Sequence, residues 1–351
     1  MATVEMERRV NNGVGGAIVA GLNSIGFSPL GAIGLLGISV LPFVPPFNQE
    51  HLIRWLIAGA YLAAQAVAFD FTSGYIGVVN FGFAAFVGLG AYTSAILAND
   101  TPLLIVQTGL TPWIGIFAGA LAAGVLGLGL GLLTLRLRGI FAACMAWFVG
   151  IALMGTALNL VPLTRGALGL HPPSLLEGTG NRPYFYIIMA MLLVTYITLT
   201  LLTKTRMGLA FRAIGQNVDA ARASGINPVR YKVINFTLSC MFAGWLGGFQ
   251  AHFLSSLTPQ TMMHTQKTVE VLTMVYIGGR GSMWGGLLVS FPFIFVINYL
   301  RSNLENLPGL HLVIFGVAMI LVMIFYPGGA SAAISGAVNW VKARLASQRE
   351  G

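Results

Sequence analysis

The sequence contains very few charged residues. Of its 351 residues, 10 are Asp or Glu and 19 are Lys or Arg, so charged side chains make up 8% of the chain. Soluble proteins carry about 25%. A folded soluble protein of this length needs more polar surface than these side chains provide. The scarcity of charge therefore excludes a soluble enzyme, a soluble nucleic-acid-binding protein and a secreted disulfide scaffold as descriptions of the whole chain.

Cysteine and the common catalytic motifs are also scarce. The two cysteines, Cys144 and Cys240, lie inside apolar stretches, where we expect them to pack as small hydrophobic residues rather than to form a disulfide. The sequence has no G-x-x-x-x-G-K-[ST], H-E-x-x-H or G-x-S-x-G motif and no metal-binding Cys/His spacing. We therefore predict no catalytic residue, no metal site and no cofactor bound by this chain.

Long apolar runs take the place of charge. Ala, Val, Ile, Leu, Met, Phe, Trp, Tyr and Cys make up 56% of the chain, and the mean hydropathy is +0.81. Runs of about 20 apolar residues cross a bilayer as helices. Ten candidate segments lie at about 25–44, 52–70, 75–98, 112–134, 140–162, 184–203, 233–256, 266–278, 284–300 and 310–326. We predict an all-α, polytopic transmembrane bundle of about 8–10 membrane helices, with discontinuous or re-entrant segments because the eighth run is short.

The distribution of Lys and Arg predicts an orientation. An even number of spans places both termini on one side, and bases are retained on the cytoplasmic side during insertion. With the termini cytoplasmic, that side holds fourteen of the nineteen bases: Arg8, Arg9, Arg136, Arg138, Lys204, Arg206, Arg212, Arg222, Arg230, Lys232, Arg280, Lys342, Arg344 and Arg349. The other side holds Arg54, Arg165, Arg182, Lys267 and Arg301. We predict a cytoplasmic N-terminal segment at 1–24, a transmembrane domain at 25–330 and a cytoplasmic tail at 331–351.

Glycine is abundant, with 45 residues, most of them inside the apolar runs. Gly127 and Gly131 are four residues apart, a spacing that favours close helix packing in lipid. A dinucleotide-binding loop is excluded there, because no strand precedes the glycines and no acidic residue follows them. Two further glycine-rich stretches, 70–77 and 277–282, are helix breaks. Such breaks line a transport path in some transporters, or they are tight cytoplasmic turns; the sequence leaves both readings open.

The polar loop at 203–232 holds six of the nineteen bases and only one acid, Asp219. It contains a compact helix signal, in which Asn217 is an N-cap, residues 220–223 favour helix, and Gly225 is a left-handed stop. A short helix with a small-residue face at the membrane surface is suited to docking into a groove of another protein. The alternative is a solvated cytoplasmic loop.

The run AIGQNVDAARASGINP at 213–228 resembles the coupling segment of the ABC-importer permeases for branched-chain amino acids, and in particular the M-type member of the permease pair. Other matching stretches, in the family's order, are GYIG at 74–77, NFGFAAF at 80–86, GAY at 90–92, LRLRG at 135–139, GGRGS at 278–282 and YPGG at 326–329. The resemblance covers residues 50 to 330.

This resemblance implies a transmembrane permease domain at 25–330 in the bacterial inner membrane, not an enzyme. It implies ATP-driven alternating access for branched-chain amino acids or related small polar solutes, without nucleic acid as a partner. The implied partners, besides membrane lipid, are a second permease subunit, two ABC ATPase subunits that bind ATP, and a periplasmic substrate-binding protein. Coupling to the ATPase would use Asn217, Asp219, Ala220, Ala221, Arg222, Gly225 and Ile226. The translocation path would include Asp70, Gly74, Gly77, Asn80, Gly82, Gly278 and Gly279.

Three departures from the family pattern bear on the solute. Asp70 stands where the amino-acid permeases often have Asn, RGALG at 165–169 alters a glycine-rich motif, and YPGG at 326–329 replaces a more usual Arg-Pro-x-Gly. An acid at position 70 is more typical of urea permeases, so a urea or short-chain amide permease of the same family is one alternative. An ion-coupled secondary transporter is another. Asp70 and Glu270 are the acids in or near the spans that could serve it.

Overall fold

The computed structural model describes residues 29–45, 47–99, 108–134, 140–176, 178, 180–303, 309–325, 328–333 and 336. The predicted N-terminal segment at 1–24, the motif at 135–139, residues 326–327 of the YPGG motif and most of the tail at 331–351 lie outside the described residues. The bases placed on these segments lie outside them as well.

Each of the ten predicted segments overlaps a helix, although the segment predicted at 75–98 is helical only from Phe83. The helices, in chain order, are α1 (Pro29–Val40), α2 (Glu50–Ser73), α3 (Phe83–Ala98), α4 (Pro112–Thr134), α5 (Ile140–Asn159), α6 (Val161–Thr164), α7 (Asn181–Lys204), α8 (Arg206–Gln216), α9 (Val218–Ala223), α10 (Pro228–Leu254), α11 (Pro259–Met263), α12 (Thr265–Gly278), α13 (Trp284–Asn303) and α14 (Leu310–Phe325).

Five of these helices are long and apolar enough to cross a membrane, namely α2, α4, α5, α7 and α13. Helix α3 is apolar but has only 16 residues, because the chain from 74 to 82 is not helical. Within the described residues, β structure is limited to one isolated bridge between Leu170 and Leu257. The prediction of an all-α polytopic membrane protein is confirmed.

Small residues hold the centre of the bundle together. Helices α3, α4 and α10 approach so closely that a Cβ on Gly90 of α3 would collide with the backbone of Gly244 on α10. A Cβ on Gly127 of α4 would lie 2.7 Å from Cβ of Cys240. Close helix packing is therefore confirmed at Gly127. Cys144 and Cys240 are both free, and Cys240 is buried as a packing residue.

The helices define two ends of the bundle. Helix α10 begins directly after the segment at 206–226 and has 27 residues, so its last residue lies about 40 Å from that segment. Helices α2 and α7 start together at the opposite end, where Asn181 hydrogen-bonds Glu50. We name the end with residues 206–226 the coupling end and the opposite one the far end.

The bases separate between these two ends. The bases of the 203–232 loop lie at the coupling end, and Arg280 joins them because the neighbouring Gly281 contacts the end of α2. Arg54 is in the first turn of α2 and Arg182 in the first turn of α7, both at the far end. These bases lie at the two ends as the orientation prediction expects, and the direction of the bundle in the membrane remains a prediction.

Candidate functional site

Asp70 joins two loops at the coupling end. It lies in the last turn of α2, is 3% exposed, and accepts hydrogen bonds from two backbone amides of the loop between α12 and α13. The amide of Gly281 donates to Oδ1 at 2.8 Å and to Oδ2 at 3.1 Å, and the amide of Met283 donates to Oδ2 at 2.9 Å. The carboxylate therefore fastens one helix connection to another.

Three glycine motifs, far apart in the sequence, meet around this carboxylate. A Cβ on Gly74 would lie 2.5 Å from the backbone N and Cα of Gly281, and a Cβ on Gly278 would collide with the backbone at the start of α13. Gly329 packs equally closely on Gly279, whose φ of +103° disfavours any residue with a side chain. The two predicted helix breaks are thus in contact. We name Asp70, Gly74, Gly278, Gly279 and the loop up to Met283 the Asp70 clip.

The other predicted path residues shape the start of α3. Asn80 is buried, and its Oδ1 accepts a hydrogen bond of 3.0 Å from the amide of Gly82, the N-cap residue of α3. Gly77 is exposed and has a φ of +71°. The amide of Ala84 donates to Oγ1 of Thr268 at 3.0 Å, which fastens the first turn of α3 to α12.

The segment at 217–228 has the predicted local structure. Oδ1 of Asn217 accepts hydrogen bonds of 3.0 Å from the amides of Asp219 and Ala220, so Asn217 is the N-cap of α9. Gly225 follows with a φ of +81°, and the proline at 228 starts α10. An ion pair of 3.6 Å joins Asp219 and Arg222 on the helix surface. These contacts confirm a capped helix in the middle of the basic loop.

The predicted coupling residues divide by exposure. Asn217, Asp219, Ala220, Arg222 and Gly225 are exposed, and Ile226 is half-buried. Ala221 is 4% exposed and therefore packs inside the chain. A groove of about 350 Å³ follows the helix, lined by Arg222, Gly225, Ile226, Asn227, Pro228 and Val229. The exposed residues and this groove form the outer surface of the segment, and Ala221 is buried behind it.

Helix α8 connects this segment to the end of α2. A Cβ on Gly215 would collide with the carbonyl oxygen of Tyr75, so the two backbones are in direct contact. The guanidinium of Arg212 lies 5.3 Å from the centre of the Tyr75 ring, and Phe211 meets Phe71 edge-on at 5.5 Å. Helix α8 therefore lies in direct contact with the end of α2.

Helix α10 is joined to the last two turns of α2 by side-chain hydrogen bonds. Nδ2 of Asn235 donates to the carbonyl of Phe71 at 2.9 Å, and Oγ of Ser239 donates to the carbonyl of Ala68 at 2.7 Å. Both side chains are buried, where unsatisfied polar groups are costly. The end of α2, which carries Asp70 of the clip, thus contacts α8, α10 and the loop between α12 and α13.

A cavity of about 580 Å³ lies between α2, α3, α10, α11, α12 and α13, and it extends towards the far end. Its polar and charged lining residues are Tyr61, Gln65, Gln250, Gln260, Thr261, His264, Gln266, Lys267 and Glu270. Its apolar lining residues are Ala58, Leu62, Phe83, Ala84, Val87, Leu254, Met262, Val271 and Ile294. None of the seven predicted path residues is among them, so the cavity and the Asp70 clip are separate features.

The charged residues of the cavity were only partly visible in the sequence. Lys267 and Glu270 are three residues apart on α12, and Nζ lies 3.0 Å from Oε2. The sequence shows Glu270 as an acid near a span, but it places Lys267 only on one side of the membrane. The i, i+3 spacing on an apolar helix is the signal that connects the two residues.

Residues 51–323 match the family model described as "Branched-chain amino acid transport system / permease component". The chain is 26% identical over 284 residues to the "High-affinity branched-chain amino acid transport system permease protein LivM" of Escherichia coli K12, which covers 73% of this chain and 64% of that protein. The chain thus spans slightly less than two thirds of that relative's length.

Two further relatives match over more of their length. The "High-affinity branched-chain amino acid transport system permease protein LivH" of Escherichia coli K12 is 24% identical over 304 residues, covering 80% of this chain and 94% of that protein. The "Nucleoside ABC transporter permease protein NupC" of Lactococcus lactis is 25% identical over 324 residues, covering 85% of this chain and 100% of that protein. No solved structure matches the chain.

Proposed function

The chain belongs to the family of permease components of branched-chain amino acid transport systems, and from this premise we propose that it is the M-type permease subunit of an ATP-binding-cassette importer in a bacterial inner membrane. Its partners in this proposal are a second permease subunit, two ATPase subunits and a periplasmic substrate-binding protein. The observation that carries the proposal is the capped, exposed helix α9, which is connected to the end of α2 by direct backbone and ring contacts.

The contacts suggest how ATP could drive the transmembrane helices. In this proposal, an ATPase subunit holds the exposed face of α9 and the adjoining groove and moves them when it closes on ATP. Helix α8 transmits the movement to the end of α2 through Gly215 and Phe211. The Asp70 clip couples α2 to α12 and α13, which line the cavity. The cavity would then open alternately towards the two ends.

The size and lining of the cavity fit a small, partly apolar solute. Its volume of about 580 Å³ lies within the range of about 300–1,000 Å³ that is usual for small-molecule sites. The amide side chains of Gln65, Gln250 and Gln266 can form hydrogen bonds, and one wall is aliphatic and aromatic. We propose a branched-chain amino acid as the solute. The nucleoside permease among the relatives makes a nucleoside the first competitor to include in the assay.

The role of α9 is tested by replacing Ala220 with Trp. Ala220 is exposed on α9, so the larger side chain does not disturb the chain's own packing but blocks docking. We expect Ala220→Trp to insert normally, to lose co-purification with the ATPase subunits, and to lose at least about 90% of ATP-driven leucine uptake, a tenfold change. The matched control is Ala152→Trp, the same enlargement at an exposed position of α5.

The two variants are compared in proteoliposomes that contain the second permease and the ATPase subunits, with the binding protein added outside. Uptake of labelled leucine and copurified ATPase are measured for equal amounts of inserted protein. Normal uptake and normal ATPase binding by Ala220→Trp would contradict the assignment of α9 as the docking helix.

A further inference from the structure

The cavity carries charge of both signs in one place. Lys267 and Glu270 are the Lys and Glu among its lining residues, and no Asp or Arg lines it in the part of the chain that the structure describes. They occupy successive turns of α12 with Nζ 3.0 Å from Oε2, so the cavity holds two opposite charges that now neutralise each other. A solute without charged groups would use neither of these charges. The pair therefore points to a solute that carries charged groups of its own.

The ion pair is placed so that it can open. The side chains of Lys267 and Glu270 are 53% and 25% exposed, and exposed ion pairs of this kind are weak. An α-amino acid presents an ammonium and a carboxylate on one carbon. If Lys267 binds the carboxylate of the amino acid and Glu270 binds its ammonium group, the ion pair between Lys267 and Glu270 is replaced by two ion pairs with the solute. The net charge of the cavity remains zero.

The rest of the lining fits the remainder of such a solute. Leu62, Val87, Val271 and Ile294 provide apolar lining in the same cavity, against which an aliphatic side chain can be buried. Val271 adjoins Glu270 in the sequence, so the charged and apolar parts of the lining meet on α12. The cavity therefore offers a charged head-group site beside an apolar side-chain site.

We propose that Lys267 and Glu270 form a low-affinity binding site for the head group of a zwitterionic amino acid with an apolar side chain. The inference rests on the proposed function, because it makes this cavity a station for the transported solute. Low affinity is expected because the solute forms its ion pairs at partly exposed side chains, where each pair is weak, and it suits a transport path, where a solute has to leave again after it enters.

The test measures equilibrium binding of labelled leucine to the permease–ATPase complex in proteoliposomes, without the binding protein. This readout is chosen because the affinity of the binding protein governs half-saturation of uptake. We expect Lys267→Gln and Glu270→Gln each to weaken leucine binding about threefold to tenfold, since each removes one partly exposed charged partner of the head group. The charge-exchanged variant Lys267→Glu/Glu270→Lys should recover most of the affinity, because it keeps both charges.

The control is Arg301→Gln, which removes a far-end charge on α13 that does not line the cavity. We expect Arg301→Gln to bind leucine like the wild type. Wild-type leucine binding by both single variants overturns the proposal. Equal competition against labelled leucine by unlabelled leucine and by an uncharged analogue also overturns it. Where a single variant fails to insert, the charge-exchanged variant decides, and loss of leucine binding in that folded protein overturns the proposal.

Failure of this proposal is distinguishable from failure of the proposed function. ATP-driven uptake by the wild type tests the function, whereas the single variants test the site. If the wild type takes up leucine with ATP and both variants bind leucine normally, only the head-group site is wrong. If the wild type takes up no amino acid with ATP, the proposed function is wrong, whatever the variants bind.

Discussion

Replacing Asp70 with Asn is expected to weaken the Asp70 clip. The carboxylate accepts hydrogen bonds from two backbone amides. The amide of Gly281 donates to both oxygens, and the amide of Met283 donates to Oδ2. An Asn side chain has a single acceptor oxygen. In the Oδ1 position this oxygen leaves the Met283 amide without an acceptor, and in the Oδ2 position it leaves the side-chain NH₂ group 2.8 Å from the Gly281 amide, donor against donor. Asp70 is 3% exposed, so water does not replace the lost acceptor.

The size of the effect follows from these bonds. An unsatisfied buried amide costs about 1–3 kcal/mol, and exchanging a charged acceptor for a neutral one at the other amide costs about 1 kcal/mol more. Asn also removes the cost of burying a charge, which offsets part of the loss. We therefore expect the free energy of unfolding to fall by about 2 kcal/mol, and the melting temperature to fall on the order of 4 °C.

The measurement is the thermal unfolding of the purified permease complex in nanodiscs, followed by intrinsic tryptophan fluorescence. Asp219→Asn is the matched control, because the same chemical change is made at an exposed surface position, where we expect a shift under about 0.5 kcal/mol. Equal melting temperatures for Asp70→Asn, Asp219→Asn and the wild type would refute the reasoning, because the clip would then contribute nothing to stability.

Two further predictions concern small residues. Gly74→Ala should lower both the melting temperature and ATP-driven uptake, because its Cβ would lie 2.5 Å from the backbone of Gly281, which cannot rotate away as a side chain could. Gly129→Ala, on α4, has no heavy atom within 4 Å of the new Cβ and should leave both unchanged; equal behaviour of the two would contradict the close contact. Ala221→Trp should reduce the yield of folded protein, because Ala221 is buried, whereas Ala220→Trp should be produced normally; size-exclusion chromatography distinguishes them, and equal yields would contradict the assigned burial.

The helices could be predicted because their signals are local. A run of about 20 apolar residues identifies a membrane helix without reference to the rest of the chain. The capped helix α9 was predictable for the same reason, since Asn217, Asp219 and Gly225 act within one or two turns. The helix breaks at 70–77 and 277–282 were visible as glycine-rich sequence. Their mutual contact was not visible, because it joins Asp70 to Gly281 across 211 positions.

The candidate site was predictable only in part. A small-residue face on α9 was evident, but the burial of Ala221 depends on how α9 packs against its neighbours, which periodicity in a six-residue helix does not reveal. The spacing of Lys267 and Glu270 places them on one helix face. The amide side chains of Gln65 and Gln250 that share their cavity come from other helices, so no local pattern points to them.

The source of energy for uptake tests the central proposal most directly. Labelled leucine uptake is measured in proteoliposomes that contain this chain and its second permease, with and without the ATPase subunits, and with either internal ATP or an imposed proton or sodium gradient. We expect uptake only when the ATPase subunits and ATP are present together. Uptake driven by an ion gradient in their absence would contradict the proposal and place the chain among ion-coupled secondary transporters.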